Sequence, residues 1–410
     1  MHFITPLAEE TAASRALIPR VLRRGCTPYP TMRSITERLQ ELYNASLSTG
    51  GVSKLGEMQV ITQTAWMLED DVVPAGSDIL GGVLSLFSDV WFHPLLRANQ
   101  FDEDYTMGEK RTLTDSIRAR INNKNAYAAM RCAQEMCRME KYAVAETGTV
   151  ESVAAASPES VYAAYGELLR SMPCEIYYVG RSDAGRVAEV LRRSFDNVKR
   201  SNLIHAATDV VRRADTVREV TEDQPTAQAK LSLGFRMGVC EADGKLPQML
   251  LFNELFGASP TAKLFMNVRE KLSLCYYCSS RIENLKGTML VSCGIENEKK
   301  QAAQEEILAQ LEDIRQGRIS DSELEAAKKS LRCAFMQMGD DPASLARWEF
   351  GRRLSGRADA SPEKELAVIE SLGRADMAEL ARGITLDTVY FMRAAGDTAE
   401  TEREDENGDE

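Results

Sequence analysis

Residues 258–277 read ASPTAKLFMNVREKLSLCYY, and this stretch is the most informative part of the chain. Apolar residues recur at helical spacing from Leu264 onward, which predicts a helix that carries Arg269. At Ser273 the pattern changes to that of a strand, and this strand bears Tyr276. A helix therefore passes directly into a strand, with polar side chains on both sides of the junction.

Arg269 and Tyr276 are the candidate binding residues of this junction. A guanidinium group can present a planar, bidentate fork to a carboxylate or to a peptide carbonyl. Tyr276 follows seven residues later and could add a phenol donor to the same ligand. The structural alternative is that Arg269 pairs with a nearby acid and that the tyrosines pack on the sheet. From these residues alone, both interpretations stay open.

Helix and strand patterns alternate along the whole chain of 410 residues. Ser157 followed by Pro158 predicts a helix start, and so does Ser320 with Glu323 in capping-box spacing. Domains usually hold roughly 100–200 residues, which favours two lobes. Hydrophobic residues make up 44% and charged residues 27%, as in ordinary globular proteins. The sequence predicts an α+β protein with two lobes.

The hydrophobic pattern weakens between Asn202 and Gln224, where charges of both signs accumulate. The last eleven residues carry seven acids against the single base Arg403, a composition that cannot form a core. The expected organisation is an N-terminal lobe over 1–205, a linker over 206–224, a C-terminal lobe over 225–397 and an acidic disordered tail over 398–410.

Charge and hydropathy exclude several classes of partner. The net charge of −12 argues against nucleic acid, which needs a basic face on the protein. The longest apolar stretch, Ile79 to Phe87, contains two glycines and is far shorter than the ~20 residues of a membrane span. The nine cysteines are an odd number, and no signal peptide precedes them. We therefore expect a cytoplasmic protein with reduced thiols that binds no membrane.

No residue pattern predicts a metal or a cofactor. The three histidines, His2, His93 and His205, are all far apart, so no helix presents two imidazoles one turn apart to one ion. Cys275 and Cys278 have CxxC spacing, but they fall in a predicted strand, where positions three apart point to opposite faces. That argues against a shared metal or a redox pair. The sequence predicts no catalytic residue of its own.

The run from Ala262 to Tyr276 resembles the second-lobe signature of the insulinase/pitrilysin peptidases, including the mitochondrial processing peptidases. In that family the pattern is Ser-x-Leu-Phe, followed by Arg-Glu near Gly-Leu-x-Tyr. Here Ala262 replaces the usual serine, and Ser273 replaces the usual glycine. In the first lobe, the stretch from Glu135 through Gly148 to the Ser157 helix start is similar as well.

This resemblance implies two homologous lobes in a clamshell, each an antiparallel sheet packed with helices. Active members also carry a His-x-x-Glu-His zinc site in the first lobe, in which two histidines bind zinc and the glutamate activates water. The corresponding stretch here, taken as Arg24 to Ser34, contains no histidine. Glu109 falls near the expected position of the family's third zinc ligand, a glutamate. The resemblance thus implies a member that cannot carry out zinc chemistry by itself.

The family contains inactive members that pair with an active one, and in such pairs the inactive chain often keeps an Arg/Tyr couple that grips the substrate backbone beside the partner's zinc. Arg269 and Tyr276 match that couple in spacing. The resemblance therefore implies a non-catalytic, substrate-binding subunit of a metallopeptidase heterodimer. Its partner would be a zinc-bearing homologous peptidase subunit, and its substrate a peptide or protein.

Two alternative functions belong to other functional classes than a peptidase subunit. One is a binding or assembly factor for a protein client, without proteolysis, whose acidic surface would favour basic partners. The run from Leu42 to Leu47 resembles a bacterial group of inactive members, some of which are named for an association with 5-aminopentanol modification of elongation factor P. The other alternative is a stand-alone hydrolase with an unrecognised site.

Overall fold

The computed structural model describes residues 1–48, 51–196 and 198–395. It divides into two compact units. The first unit contains Met1–Ala119 and Val144–Thr208, and the second contains Arg120–Ala143 and the chain from Asp209 onward. The predicted acidic tail, 398–410, lies outside the described residues.

The elements found up to residue 208 alternate between short strands and longer helices. In chain order they are β1 His2–Pro6, α1 Glu9–Leu22, α2 Met32–Glu41, β2 Ser46–Leu47, β3 Val52–Leu55, β4 Met58–Thr62, β5 Ala65–Trp66, α3 Ile79–Phe92, β6 Leu96–Arg97, β7 Gln100–Phe101, α4 Glu103–Arg118, α5 Lys124–Met136, α6 Val150–Ala155, α7 Pro158–Ser171, β8 Cys174–Glu175 and α8 Ala184–Ser194.

The first unit is built on a sheet with the order β3-β4-β1-β8, in which neighbouring strands are antiparallel. Helix α1 packs against α4 and α7, and the rings of Phe3 and Trp91 meet in the core at 5.2 Å. Helix α1 was not predicted from the sequence. This helix contains Pro19 near its end and buries Arg15, which donates to the carbonyl of Pro6 at 3.0 Å. Both residues obscure the apolar pattern that normally marks a helix.

The remaining elements form the second unit together with α5. They are β9 Arg218–Gln224, β10 Ala229–Arg236, α9 Leu246–Asn253, β11 Tyr277–Glu283, β12 Thr288–Ile295, α10 Lys300–Arg315, α11 Asp321–Met338, α12 Pro342–Leu354, α13 Pro362–Ser371, α14 Arg374–Gly383 and β13 Thr385–Ala394, with π-helical turns at Glu254–Ala258 and Leu264–Lys271.

The sheet of the second unit has the order β11-β12-β10-β13-β9. Strands β9 and β13 are parallel, and the other neighbours are antiparallel. Every residue of the central strand β10 is buried. One face of β10 contributes Leu231, Leu233 and Phe235 to the main core, and the other face is covered by α5. A sheet covered on both faces explains why its central strand is apolar almost throughout.

Helix α5 lies directly on this sheet. Ala128 and Cys132 pack with Tyr390 and Met392 of β13, and the Cys132 thiol donates to the carbonyl of Ser232 at 3.5 Å. Gly234 permits this close approach, since a Cβ there would lie 2.8 Å from the Met136 sulfur. The helix is thus part of the second unit, although its residues come from the first half of the chain.

The observed division differs from the expected boundaries in two places. The segment 120–143, expected in the N-terminal lobe, belongs to the second unit. Residues 218–224, expected in the linker, form strand β9 at the edge of the sheet. Its residues alternate between half-buried and exposed and carry four charges, so the strand lacks the apolar signal of a central one.

Four charged side chains form a buried network in the second unit. Glu140 contacts Arg236 and Lys286, each at 2.6 Å, and Arg236 also contacts Asp387 at 2.8 Å. Side-chain exposure is 0% for Lys286 and 3% for Arg236. Although burial opposes it, hydrogen bonding from Arg236 and Lys286 holds the pKa of Glu140 below its ordinary value. The carboxylate therefore stays charged inside the protein.

The predicted fold class, α+β with two lobes that each combine a sheet with helices, is confirmed. The predicted start signals are confirmed too, since Ser157 and Ser320 both cap their helices in reciprocal capping boxes. Asn123 caps α5, and its side chain accepts from the N–H of Ala126. Within the described ranges, no helix combines the length and the apolar character needed to cross a membrane.

Candidate functional site

Arg269 lies in the π-helical turn Leu264–Lys271, whose buried side chains, Leu264 and Val268, anchor it to the core of the second unit. Its guanidinium carbon lies 4.6 Å from the centre of the Phe265 ring. The Nε contacts the neighbouring Glu270 at 3.5 Å, and the Arg269 side chain is 41% exposed. Stacking on an aromatic ring holds the fork in place while leaving its outer edge open to a ligand.

Ser273 connects this turn to strand β11. Its φ is 49°, in the left-handed region that favours glycine. Its N–H donates to the carbonyl of Arg269 at 3.0 Å, and the next residue, Leu274, donates to Val268 at 3.0 Å. Glycine would adopt this conformation with less strain than serine does.

Replacing Ser273 with glycine should therefore stabilise the second unit. A side chain in the left-handed conformation costs about 1–2 kcal/mol, part of which the extra freedom of glycine in the unfolded chain offsets. We expect the free energy of unfolding to rise by about 0.5–1 kcal/mol in urea titrations. Ser273→Ala is the matched control and should give no gain. An equal rise in both variants would contradict this explanation.

Tyr276 follows at the entrance to β11. Its N–H donates to the carbonyl of Gly294 in β12 at 3.0 Å, which fixes the backbone, while the side chain is 63% exposed. Tyr276 and Arg269 line the same cavity, which has a volume of about 390 Å³. The cavity is lined by Arg269, Glu270, Ser273, Leu274, Cys275, Tyr276, Glu296 and Lys299. The two residues singled out by the sequence are thus brought together.

Cys275 also lines this cavity, and its relation to Cys278 differs from the one predicted. Hydrogen bonding from the Cys278 thiol lowers the pKa of Cys275, and the charges of Arg269 and Lys299 act in the same direction, against burial. The pKa of Cys278 is raised by hydrogen bonding to Cys275 and Cys293 and by burial. The prediction that these two residues lie on opposite faces of one strand was wrong, because Cys275 precedes β11, which begins only at Tyr277.

Glu109 lies in the first unit, on α4, and its side chain is fully buried. Its Oε1 accepts from Arg24 Nε at 2.5 Å, and its Oε2 lies 3.7 Å from Arg20 Nη1. Arg20 is in the last turn of α1, and Arg24 follows that helix. Two guanidinium groups therefore supply the positive charge beside this carboxylate.

The histidines are separated in the structure, as their spacing predicts. Nδ1 of His2 contacts the Thr62 hydroxyl at 2.9 Å on β1, and His93 ends α3 beside Asp89 at 3.2 Å. His205 is exposed. Across the described part of the chain, no group of three or more His, Cys, Asp or Glu side chains is arranged to hold a metal ion.

Two features of these sites were missed at the level of sequence. The arginine partners of Glu109 were missed because α1 itself was not predicted. The contribution of Lys299 and Glu296 to the cavity was missed because they precede α10 by a few residues and no local pattern connects them to Arg269. CxxC spacing was the one available signal for the thiol pair.

Comparison with known proteins gives a consistent picture. Residues 155–331 match the family model described as the Peptidase M16 inactive domain. The chain is 30% identical over 394 residues to the "Probable inactive metalloprotease YmfF" of Bacillus subtilis (strain 168), covering 95% of this chain and 91% of that protein.

Solved structures agree in fold. A conserved protein from Enterococcus faecalis V583 superimposes with a TM-score of 0.88 at 26% identity, covering 97% of this chain and 92% of that one. A peptidase M16 inactive domain from Pseudomonas fluorescens gives a TM-score of 0.76 at 14% identity, covering 96% and 92%.

The fold is that of the two-lobed, M16-like peptidases, and in this chain the buried carboxylate of Glu109 is paired with arginines. The chain belongs to the M16 peptidase family, as an inactive homologue of its metallopeptidases. The resemblance to the insulinase/pitrilysin peptidases is thereby confirmed.

Proposed function

We propose that this chain is the non-catalytic, substrate-binding subunit of a metallopeptidase pair whose other member is a zinc-bearing homologue. The observation that carries the proposal is the cavity in which the Arg269 fork and the Tyr276 phenol are both open to solvent. In an inactive homologue, such a cavity can bind a peptide while a partner supplies the hydrolytic chemistry.

The cavity has the size and chemistry for part of a peptide chain. Its volume of about 390 Å³ falls in the range of roughly 300–1,000 Å³ that is usual for ligand pockets. The guanidinium donates only, whereas the phenol both donates and accepts, so together they can serve peptide carbonyls and a backbone N–H. Met266 and Leu272, 47% and 45% exposed, add apolar surface along the same segment.

The Glu109 site of the first unit supports assigning the metal to the partner. Arg24 and Arg20 already balance the charge of the buried carboxylate. A dication would have to displace two guanidinium groups and would meet no imidazole from the neighbouring helix α1, which contains no histidine. The residues present therefore do not fit a zinc ion.

We further propose that the pair works in the cytoplasm. All nine cysteines are free thiols, and only Cys333 among them is exposed. Free thiols in this number are usual in a reducing compartment.

Replacing Arg269 with alanine tests the binding role. In a mixture of the full chain, a zinc-bearing M16 homologue and a fluorogenic peptide, we expect kcat/KM to fall about tenfold to hundredfold, because a hydrogen bond to a charged group contributes about 1.5–3 kcal/mol. Tyr276→Phe should give a smaller loss, since it removes one neutral hydroxyl. Arg382→Ala, an exposed arginine on α14, is the control and should leave the rate unchanged.

Four outcomes would count against the proposal. The mixture could show no more activity than the homologue alone, or Arg269→Ala could match Arg382→Ala. The chain could also capture a defined protein client without any peptidase, which would favour the assembly-factor alternative, including a client linked to elongation factor P modification. Metal analysis of the isolated chain, with stoichiometric zinc as the result, would instead revive the stand-alone hydrolase.

A further inference from the structure

Three thiols lie beside the Arg269–Tyr276 cavity, and the proposed binding role uses none of them. Cys275 lines the cavity and is 9% exposed, whereas Cys278 is 3% and Cys293 is 0% exposed. A small reagent that enters the cavity therefore reaches Cys275 first.

Cys278 is placed to react with its neighbours. It pairs directly with Cys293 across β11 and β12. Side chains opposite each other in antiparallel strands have Cβ atoms about 4.5–5.5 Å apart, at or beyond the upper end of the roughly 3.5–4.5 Å of a disulfide. On its other side, Tyr276 donates to the Gly294 carbonyl and Tyr277 is also paired with Gly294, so two residues oppose one, as in a β-bulge. The extra residue places Cys275 on the same face as Cys278. Cys278 is thus the central member of the three.

The surroundings of Cys275 favour its thiolate. Two cations, Arg269 and Lys299, line the same cavity, and both lower the pKa of this thiol. Two acids, Glu270 and Glu296, line it as well, and each contacts one of these cations, at 3.5 Å and 3.3 Å respectively. The four charges sum to zero, but the two cations are the ones that act on the Cys275 thiol. A partly accessible thiol beside cations is the usual setting of a reactive cysteine.

We propose that Cys275 and Cys278 form a peroxide-sensitive dithiol that closes to a disulfide at the wall of the Arg269–Tyr276 cavity. The Cys275 thiolate attacks one oxygen of hydrogen peroxide, the O–O bond breaks, and the departing hydroxide takes up a proton to become water. Cys275 is then a sulfenic acid. The Cys278 sulfur attacks the sulfenic sulfur, the S–O bond breaks, and a second water leaves with the proton of the Cys278 thiol. Two thiols lose two electrons, and one peroxide is reduced to two waters.

Closure of this disulfide would alter the cavity, because Cys275 is the residue immediately before Tyr276 and precedes the regular part of β11. The backbone on its other side is already held in an unusual conformation at Ser273. The effect of oxidation on peptide binding rests on the proposed function. Under that function, oxidation moves Tyr276 and weakens peptide binding by about tenfold, which corresponds to the loss of one strong hydrogen bond.

Peptide mapping of the full chain after treatment with a small excess of hydrogen peroxide tests the thiol chemistry. We expect a Cys275–Cys278 disulfide, seen as the loss of two hydrogens from the peptide that contains both residues and reversed by a phosphine reductant. In Cys278→Ser the sulfenic acid should persist at Cys275 and be trapped by dimedone. In Cys275→Ser, Cys278 should stay reduced. Cys333→Ser, which removes the exposed thiol of α11, is the control and should not affect the disulfide.

Oxidation of Cys333 while Cys275 and Cys278 remain thiols would overturn the proposal. A Cys278–Cys293 disulfide that forms equally well in Cys275→Ser would also overturn it. The mapping of the unaltered chain does not depend on the folding of any variant, and it needs no peptidase. A disulfide that forms while the chain still binds peptide with full affinity would refute the coupling to the cavity, whereas failure of the reduced chain to bind any peptide would refute the proposed function.

Discussion

Glu140→Ala will destabilise the second unit by about 4 kcal/mol, since removing one member of a buried ionic network leaves uncompensated charge in the interior. Glu140 neutralises Arg236 and Lys286, whose side chains are almost completely buried. Asp387 remains beside Arg236. After the substitution, Arg236 keeps the carboxylate of Asp387, and alanine can supply neither charge nor a hydrogen bond to Arg236 or Lys286.

Urea unfolding at neutral pH, followed by circular dichroism, measures this effect. Glu298→Ala removes an exposed carboxylate from the same unit and should shift the midpoint very little. Glu140→Gln retains hydrogen-bonding capacity without charge, so it should fall between the parent chain and Glu140→Ala. Equal midpoints for Glu140→Ala and Glu298→Ala would show that the network contributes nothing.

The loss of stability caused by replacing Glu140 should become smaller as the pH falls. The pKa of Glu140 in the folded chain lies below its ordinary value of 4.5 because of Arg236 and Lys286, although burial opposes them. The stability that ionised Glu140 contributes is therefore fully present above pH 4.5, and it is lost as the pH falls through the pKa of Glu140 in the folded chain. The difference in stability between the parent chain and Glu140→Gln should be constant near neutral pH and should narrow in acid. A difference that grows as the pH falls would contradict this assignment.

Arg24→Met will destabilise the first unit by about 3 kcal/mol, because it leaves the carboxylate of Glu109 buried with a single, more distant cation. Arg24 is the near partner, at 2.5 Å, while Arg20 lies 3.7 Å away. The Oε2 of Glu109 already has no hydrogen-bond partner among the described residues. When Arg24 is lost, the carboxylate of Glu109 therefore loses its main hydrogen-bond donor, and only Arg20 remains beside it.

The double variant Arg24→Met, Glu109→Met provides the decisive comparison. Replacing a buried ion pair by apolar side chains is often neutral or stabilising, so we expect most of the loss to be recovered. Arg33→Met breaks an exposed ion pair with Glu37 in the same unit and should have almost no effect. If the double variant is less stable than Arg24→Met, the role of Glu109 goes beyond its charge.

The second unit could be predicted in more detail than the first. The run around Arg269 carries a helical period, a backbone position that favours glycine and a strand start within a few residues, so local sequence contains nearly the whole site. In the first unit the Glu109 site joins α4 to α1, and nothing near Glu109 in sequence indicates Arg20 or Arg24. Long-range ion pairs of this kind leave no periodic signal.

The cysteines illustrate the same limit. The rule that alternate residues face opposite sides holds inside a strand, and β11 begins after Cys275. An error of a few residues in a strand boundary was enough to separate two thiols that interact. Element boundaries are the part of a fold that local patterns determine least well, and this site lies on one.

The placement of α5 has a consequence for the synthesis of the protein. The helix leaves the ribosome long before β10 and β13, the strands on which Cys132 and Ala128 pack. Until translation approaches residue 394, its apolar side has no surface to cover it, so nascent chains released early would be targets for chaperones and proteases. For the same reason, a gene split at any single position between 144 and 208 would separate α5 from the sheet of the second unit. One fragment would contain the helix without its sheet, and the other would contain the sheet with the face for α5 uncovered.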